Sequence, residues 1–498
     1  MKAFFKRYIG DKPFYKEMFF VAFPIALQQL ISASVNLMDS AMIGRWGNLA
    51  YGQGGSEIAA AAVMIAGRFM ATFENIMILL AISCTIFLAQ YFGAKNGKAM
   101  KKVFGLCLKL TVGFGIASLI LGFFFRNEIV YLFATGMGSG LVMLELGKQY
   151  LAIVAWTFIP YSISVAISFC LRAIKKTTIP LIASGSAALF NFVMNYILIY
   201  PLGMGVIGAA VATLLSRLVE LGILLFYFYR HKPAFHGTWA ELFVIPREFS
   251  SNIMRKSWPL VFAQVLTEGL AVFMFFAYAR IDSGNATNIA AVNVSTRVVE
   301  LIHAFVGGMG TAAAILVGTR LGAGKIEEAK RNARWQIGYI VMMSLATVLI
   351  MIGLIPLVQL LFSFDAAGNQ LLAATMILQS LALPFLFYAM NVTFITRAGG
   401  YTKAPILITN IPYLFIKAPL VALFAFVFPG VVETSPGLQA VFAFFGLPAD
   451  LVIFIFLIDR FVEVLRAAIA FIVYHKAQWQ TDLTKQTSRE LKQTPSAA

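Results

Sequence analysis

Residues 103–125 read VFGLCLKLTVGFGIASLILGFFF, an apolar run whose one charge is Lys109. A helix rises about 1.5 Å per residue, so roughly 20 such residues cross the hydrocarbon core of a bilayer. The run has that length, and it lacks the polar face that a water-soluble helix presents. Similar runs recur along the chain, at about 18–43, 58–92, 148–171, 178–201, 205–229, 257–279, 287–321, 335–362, 371–396, 404–428 and 449–474. The sequence therefore predicts an all-α integral membrane protein with twelve transmembrane helices. The spans at 58–92 and 287–321 exceed one crossing and are expected to tilt or to extend beyond the membrane.

Composition agrees. Of 498 residues, 60% are hydrophobic and 12% charged, with a mean hydropathy of +0.82. Soluble domains run near 45–50% and 25%, so a water-soluble fold and a disordered chain are both excluded. Cys84, Cys107 and Cys170 fall inside apolar runs, which suggests neither a disulfide framework nor a zinc cluster. Residues 1–17 carry Lys2, Lys6, Arg7, Lys12 and Lys16 among aromatic residues, without a small-residue cleavage site. They read as a basic amphipathic segment on the membrane surface rather than a signal peptide. The longest polar connection, 231–256, divides the spans into lobes 18–230 and 257–475, and residues 476–498 form a polar tail.

The net charge of +17 is distributed asymmetrically. With both termini on one side, that side receives Lys95–Lys102, Arg172–Lys176, Arg247–Lys256 and Arg320–Arg334, together with the basic residues of both ends. Only Arg45, Arg126, Lys148 and Arg280 face the other side. The positive-inside rule then puts both termini in the cytoplasm, in a multi-pass plasma or inner membrane protein, and explains the charge without nucleic acid. No Gly-rich phosphate loop is present and histidines number four, so neither ATP-driven transport nor an enzyme is expected, and no cofactor.

The halves echo each other. Pro24 with Gln29 recurs as Pro259 with Gln264; Ala61-Ala62-Val63, Arg68 and Gly93-Ala94 recur as Ala290-Ala291-Val292, Arg297 and Gly322-Ala323; Arg172-Ala173, Thr177 and Pro180 recur as Arg397-Ala398, Thr402 and Pro405. Six spans per half return the chain to its starting side, so the repeats are parallel, forming two pseudo-symmetric six-helix bundles. A cavity between such bundles suits a transporter; channels usually obtain their symmetry from identical subunits.

Polar residues inside spans mark where that cavity is wet, because a mid-bilayer charge costs about 2.5–3.5 kcal/mol. Asp39 follows Asn36 on span one, and Glu268 lies mid-span in span seven, four after Gln264. A desolvated carboxylate takes up a proton or, with oxygen neighbours, holds a cation such as Na⁺. Asn191 and Asn195 share a face of span five, and Thr213 follows on span six; with Asp39 they supply oxygens for Na⁺, although amides and hydroxyls also serve as interhelical glue. Asn36, Gln264, Asn293 and Asn391 are candidates for the substrate cavity. Arg297 with Glu300, and Asp459, Glu463 and Arg466 on one face, read as structural, whereas Arg68 and Glu74 are too far apart on span two to pair. Lys417 has Glu268 or Asp459 as an available partner. The in-span prolines, Pro24, Pro160, Pro259, Pro356, Pro384, Pro412 and Pro419, predict curvature.

Several motifs also resemble one family. Val35-Asn36-Leu37-Met38-Asp39-Ser40-Ala41-Met42-Ile43-Gly44-Arg45-Trp46-Gly47, Gln90-Tyr91-Phe92-Gly93-Ala94-Lys95-Asn96, Asn195-Tyr196-Ile197-Leu198-Ile199-Tyr200 with Gly203–Thr213, Leu321-Gly322-Ala323-Gly324-Lys325 and Arg397-Ala398-Gly399-Gly400 are similar to motifs of the multidrug and toxic compound extrusion (MATE) transporters. The resemblance runs from about 15 to 475. It implies Na⁺- or H⁺-coupled export of organic, often cationic, small molecules by a monomer in membrane lipid. It also implies a cation site at Asp39, Tyr150, Asn191, Asn195 and Thr213, and a second acidic point at Glu268. Some relatives have an aspartate where this chain has Asn195, or a span-ten carboxylate where it has Asn391. A flippase for a lipid-linked precursor, of related fold, and less so a channel, are the alternatives; a flippase is expected to show a more basic cavity.

Overall fold

A computed structural model describes residues 8–52, 55–134, 141–280, 286–361, 364–428, 430–444 and 451–485. The long helices are α1 (Lys12–Tyr51), α2 (Gly55–Gly93), α3 (Gly97–Phe124), α4 (Leu141–Ala173, with one tighter turn at Ala155–Thr157), α5 (Thr178–Ile199), α6 (Gly205–His231), α7 (Arg247–Arg280), α8 (Ala286–Gly322), α9 (Ile326–Leu361), α10 (Ala366–Ala398), α11 (Ile406–Val427) and α12 (Leu451–Lys476). Eleven stretches are long and apolar enough to cross a membrane among the described residues. They correspond to α1–α11; α12, the twelfth predicted span, carries Asp459, Arg460, Glu463 and Arg466 near its middle. Rows of exposed apolar side chains such as Phe19, Phe20 and Phe23 on α1, or Leu345, Leu349 and Leu360 on α9, suit a lipid environment.

The described residues form two compact units. One comprises those within Glu17–Gln264, Gly318–Ile326 and Asp482–Ala498; the other, those within Met1–Lys16, Val265–Val317 and Glu327–Thr481.

In the first unit, aromatic rings of α2, α3 and α4 interlock: Phe73 lies 5.6 Å from Phe114 and 6.1 Å from Phe158. Lipid is as apolar as these side chains, so close approach and polar contacts have to hold the helices together. Glycine permits that approach. A Cβ at Gly105 of α3 would overlap the Leu242 carbonyl, and Lys101, Lys102 and Lys109 bind Glu241 and the carbonyls of Val244 and Phe243. The connection 231–256 is thereby folded onto α3, with a short capped helix at Trp239–Phe243. Lys101 holds the Glu241 carboxyl below the usual carboxylate range. Gly93 and Gly322, repeat-related in sequence, meet in space: a Cβ on Gly93 would overlap the Thr319 carbonyl, and one on Gly322 the Gln90 carbonyl. Glu17 of α1 joins the same end, receiving Lys175 at 2.7 Å and Arg320 at 2.5 Å.

In the second unit, α10 packs along α12, and Gly399 meets the carbonyl of Trp479, which is buried. Residues 8–15, at and just before the start of α1, pack on α9. Phe14 is buried against Trp335, 5.3 Å between ring centres, and the Tyr8 carbonyl fills the space a Cβ on Gly338 would need. In α11, Pro412 and Pro419 lack N–H donors, and the wider turns Ile406–Asn410, Tyr413–Lys417 and Leu423–Val427 bring the next N–H to the carbonyl five residues back.

The repeat is written in the turns. After α2 and α8, Asn96 N–H bonds the Tyr91 carbonyl and Lys325 N–H that of Arg320. After α4 and α10, Lys176 N–H bonds the Leu171 carbonyl and Tyr401 N–H that of Thr396. Each is a Schellman cap, and its left-handed residue is Lys95, Gly324, Lys175 or Gly400, at φ between 55° and 93°. Arg172 and Arg397, also repeat-related, each lie over a phenylalanine three residues earlier, at 4.4 and 4.0 Å.

Candidate functional site

Residues of five helices in the first unit line a cavity of about 400 Å³. Helical spacing brings Gln28, Ser32, Val35 and Asp39 to one face of α1, and Ser184, Ala188, Asn191 and, one turn on, Asn195 to one face of α5. On α6 the same stepping aligns Thr213, Arg217 and Glu220; α2 contributes Glu74 and Ile78, and α4 contributes Tyr161, Ser168 and Arg172. The wall is mixed, with polar side chains of α1, α4, α5 and α6 beside apolar ones such as Val35, Ile78 and Phe169.

Asp39 sits about 16 Å along α1 from Gln28. Its Oδ1 accepts from Asn195 Nδ2 at 2.5 Å, and the same nitrogen donates to Asn191 Oδ1 at 3.1 Å. Among the described residues Asp39 makes no ion pair; its hydrogen-bond partner is neutral. Asn195 is fully buried and its Oδ1 has no partner. The Thr213 hydroxyl donates to the Ala209 carbonyl, so its oxygen remains available as an acceptor. Tyr150 of α4, a helix packed on α6, is buried near Thr213. Asp39, Asn191, Asn195, Thr213 and Tyr150 are therefore together, and they offer a carboxylate, amide oxygens and hydroxyls, the donor types that hard cations take.

Farther along the cavity, Arg217 lies between two acids: Nη2 is 3.2 Å from Glu74 and Nη1 is 3.2 Å from Glu220, with Tyr161 under the guanidinium at 4.5 Å. Arg172 donates to Gln28 Oε1 at 2.6 Å, and its Nε is buried without a partner. Sequence reasoning missed Arg217, Glu220 and the partner of Glu74. The signal was present, since Arg217 and Glu220 follow Thr213 at helical spacing inside an apolar span.

None of the other candidates is among the described residues that line this cavity. Glu268 is half-buried on α7, in the second unit, and Gln264 is half-buried just before it. Asn391 is buried on α10 with both amide atoms unpartnered. The side chains of Asn36, Asn293, Arg297 and Glu300 fall outside the described residues. Lys417 pairs with Asp459, which Arg460 also contacts. Arg466 binds Glu463 at 2.7 Å, the Tyr413 hydroxyl at 3.0 Å and Thr409 at 3.1 Å, while Asn410 donates to Thr267. Among the described residues no cluster of three histidine, cysteine or acidic side chains is arranged to hold a metal; Cys84, Cys107 and Cys170 are free and buried.

The MatE family model matches residues 24–197 and 259–423, two stretches that begin at the repeat-related Pro24 and Pro259. The chain belongs to the MatE family. Its members are transporters, not enzymes. A probable multidrug resistance protein NorM of Thermotoga maritima is 24% identical over 416 residues, covering 81% of this chain and 84% of that protein. Two solved structures share the fold at a TM-score of 0.76 and 19% identity. One is a MOP-superfamily transporter from Pyrococcus furiosus, with 98% of each chain covered; the other is an outward-facing multidrug resistance MATE transporter, with 96% of this chain and 97% of that one covered. The twelve-helix, pseudo-symmetric membrane architecture expected from the sequence is the MatE architecture.

Proposed function

We propose that this MatE protein is a secondary antiporter that exports organic cations in exchange for Na⁺ or H⁺. The observation that carries the reading is Asp39, a carboxylate lining a cavity with only a neutral amide on it. A desolvated charge without a counter-ion is costly, so such a group favours the arrival of a proton or metal cation. The residues present fit an ion: the unpartnered oxygen of Asn195, the Asn191 carbonyl and the Thr213 hydroxyl accompany the carboxylate. Turning the Asn195 amide over would exchange its N–H for an oxygen at the moment a cation binds Asp39.

Exchange requires that ion and cargo stabilise different states, or compete within one. Cargo binds the ion-free protein; ion entry makes the shared cavity more positive and weakens its hold on a cation; the loaded protein reopens empty of cargo. In a one-for-one exchange of cations no net charge moves, so the ion's concentration gradient drives the cargo; a gradient equivalent to 100 mV contributes about 2.3 kcal/mol per ion, close to a fifty-fold accumulation. Glu268 supplies a second acidic point in the other unit. Both termini are assigned to the cytoplasm on charge grounds. The basic groups of the cavity, Arg172 and Arg217, face three acids, which supports a cationic rather than a pyrophosphate cargo.

Purified protein in liposomes, with Na⁺ and H⁺ gradients imposed separately, tests this. Ethidium should accumulate against its gradient under one of the two. Uptake that is equal with and without any gradient would make the protein a passive channel.

A further inference from the structure

We infer that Glu74, which shares Arg217 with Glu220, is the point in this cavity that holds the positive charge of an organic monocation, separate from the coupling-ion group at Asp39. This deepens the proposed exchange of cations and rests on it.

The geometry is two carboxylates on one guanidinium. Arg217 gives Nη2 to Glu74 and Nη1 to Glu220, each at 3.2 Å. One guanidinium satisfies one carboxylate fully, so the second remains a good acceptor of positive charge. Glu74 is the more open of the two, with 22% of its side chain accessible against 10% for Glu220. It faces α6 from α2 and lines the cavity wall. The other cation there, Arg172, makes no ion pair with either acid; it is held by Gln28 and Phe169 at the last turn of α4, where the helix carbonyls offset its charge.

Such a trio solves the problem of release. A lone buried carboxylate binds a cation well and is left uncompensated when the cation departs. Glu74 is never left so. With cargo present, Arg217 leans on Glu220; with cargo gone, it spans both acids. Asp39 makes no ion pair with Arg217 and depends on the coupling ion.

Equilibrium binding of tetraphenylphosphonium and of its anionic isostere tetraphenylborate to detergent-purified full-length protein separates charge recognition from mere packing. Glu74→Gln leaves the Arg217–Glu220 pair intact, so the fold is preserved. It should weaken tetraphenylphosphonium binding at least about tenfold and strengthen tetraphenylborate relative to wild type. Glu220→Gln should act in the same sense, whereas Asp39→Asn should still bind the phosphonium. A structural lesion would weaken both ions alike, and that result, or phosphonium affinity unchanged within twofold in Glu74→Gln, overturns the inference while wild-type transport stands. A wild type that neither binds nor accumulates tetraphenylphosphonium under either gradient removes the cationic-cargo reading itself.

Discussion

Asn195 shows how much one neutral side chain decides. Its amide is the hydrogen-bond partner of Asp39 and at the same time carries an unpaired buried oxygen. Asn195→Ala deletes the oxygen that the turned amide would offer the ion, so half-saturation by the coupling ion should weaken about tenfold; an unchanged ion dependence would remove Asn195 from the site. A backbone prediction belongs at the same scale. Lys95 and Gly324 occupy equivalent left-handed caps, and a side chain there costs about 1–2 kcal/mol. Lys95→Gly should raise, and Gly324→Ala lower, stability by about 1 kcal/mol in thermal unfolding of the purified protein. A Cβ added at Gly324 would meet open space, so its change would report backbone conformation alone.

Between elements, what matters is rotation about each helix axis. Asp39, Asn191, Asn195 and Thr213 were legible in the sequence because polar residues at helical spacing in apolar spans identify a stripe. That Glu74 meets Arg217 was not, because the pairing depends on how α2 and α6 are turned toward one another. The widened turns of α11 were hidden for a similar reason: Pro412 and Pro419 announce lost hydrogen bonds, but not which carbonyls are re-engaged. Packing between helices can be tested at two points. Arg466→Ala leaves Glu463 buried and uncompensated, a loss of about 3–5 kcal/mol; folded yield should fall sharply and recover when Glu463→Leu is added. Gly93→Ala presses a methyl group into the Thr319 carbonyl, and overpacking of this kind costs about 1–3 kcal/mol. Full stability in that variant would show that α2 and α8 do not need their glycine contact.

For the whole molecule, span count and repeat could be read from hydropathy and three spaced motif pairs, and the family match beginning at Pro24 and at Pro259 agrees with them. The folding of residues 8–15 against α9 could not, since aromatic and basic residues favour a lipid surface and a protein surface equally. The two halves differ in charge where they are alike in fold. The first unit's cavity carries Asp39, Glu74 and Glu220 against Arg172 and Arg217, while the α11–α12 cluster sets Lys417, Arg460 and Arg466 against Asp459 and Glu463. Among the described residues, that asymmetry supports the proposal that the coupling ion binds in the first unit. The direct measurement is counterflow: ion efflux recorded together with ethidium uptake in proteoliposomes of wild type, Asp39→Asn and Glu268→Gln. Wild type should exchange the two in a fixed ratio, and Asp39→Asn should lose ion flux and gradient-driven dye uptake together. Coupled exchange surviving in Asp39→Asn and vanishing in Glu268→Gln would contradict the account.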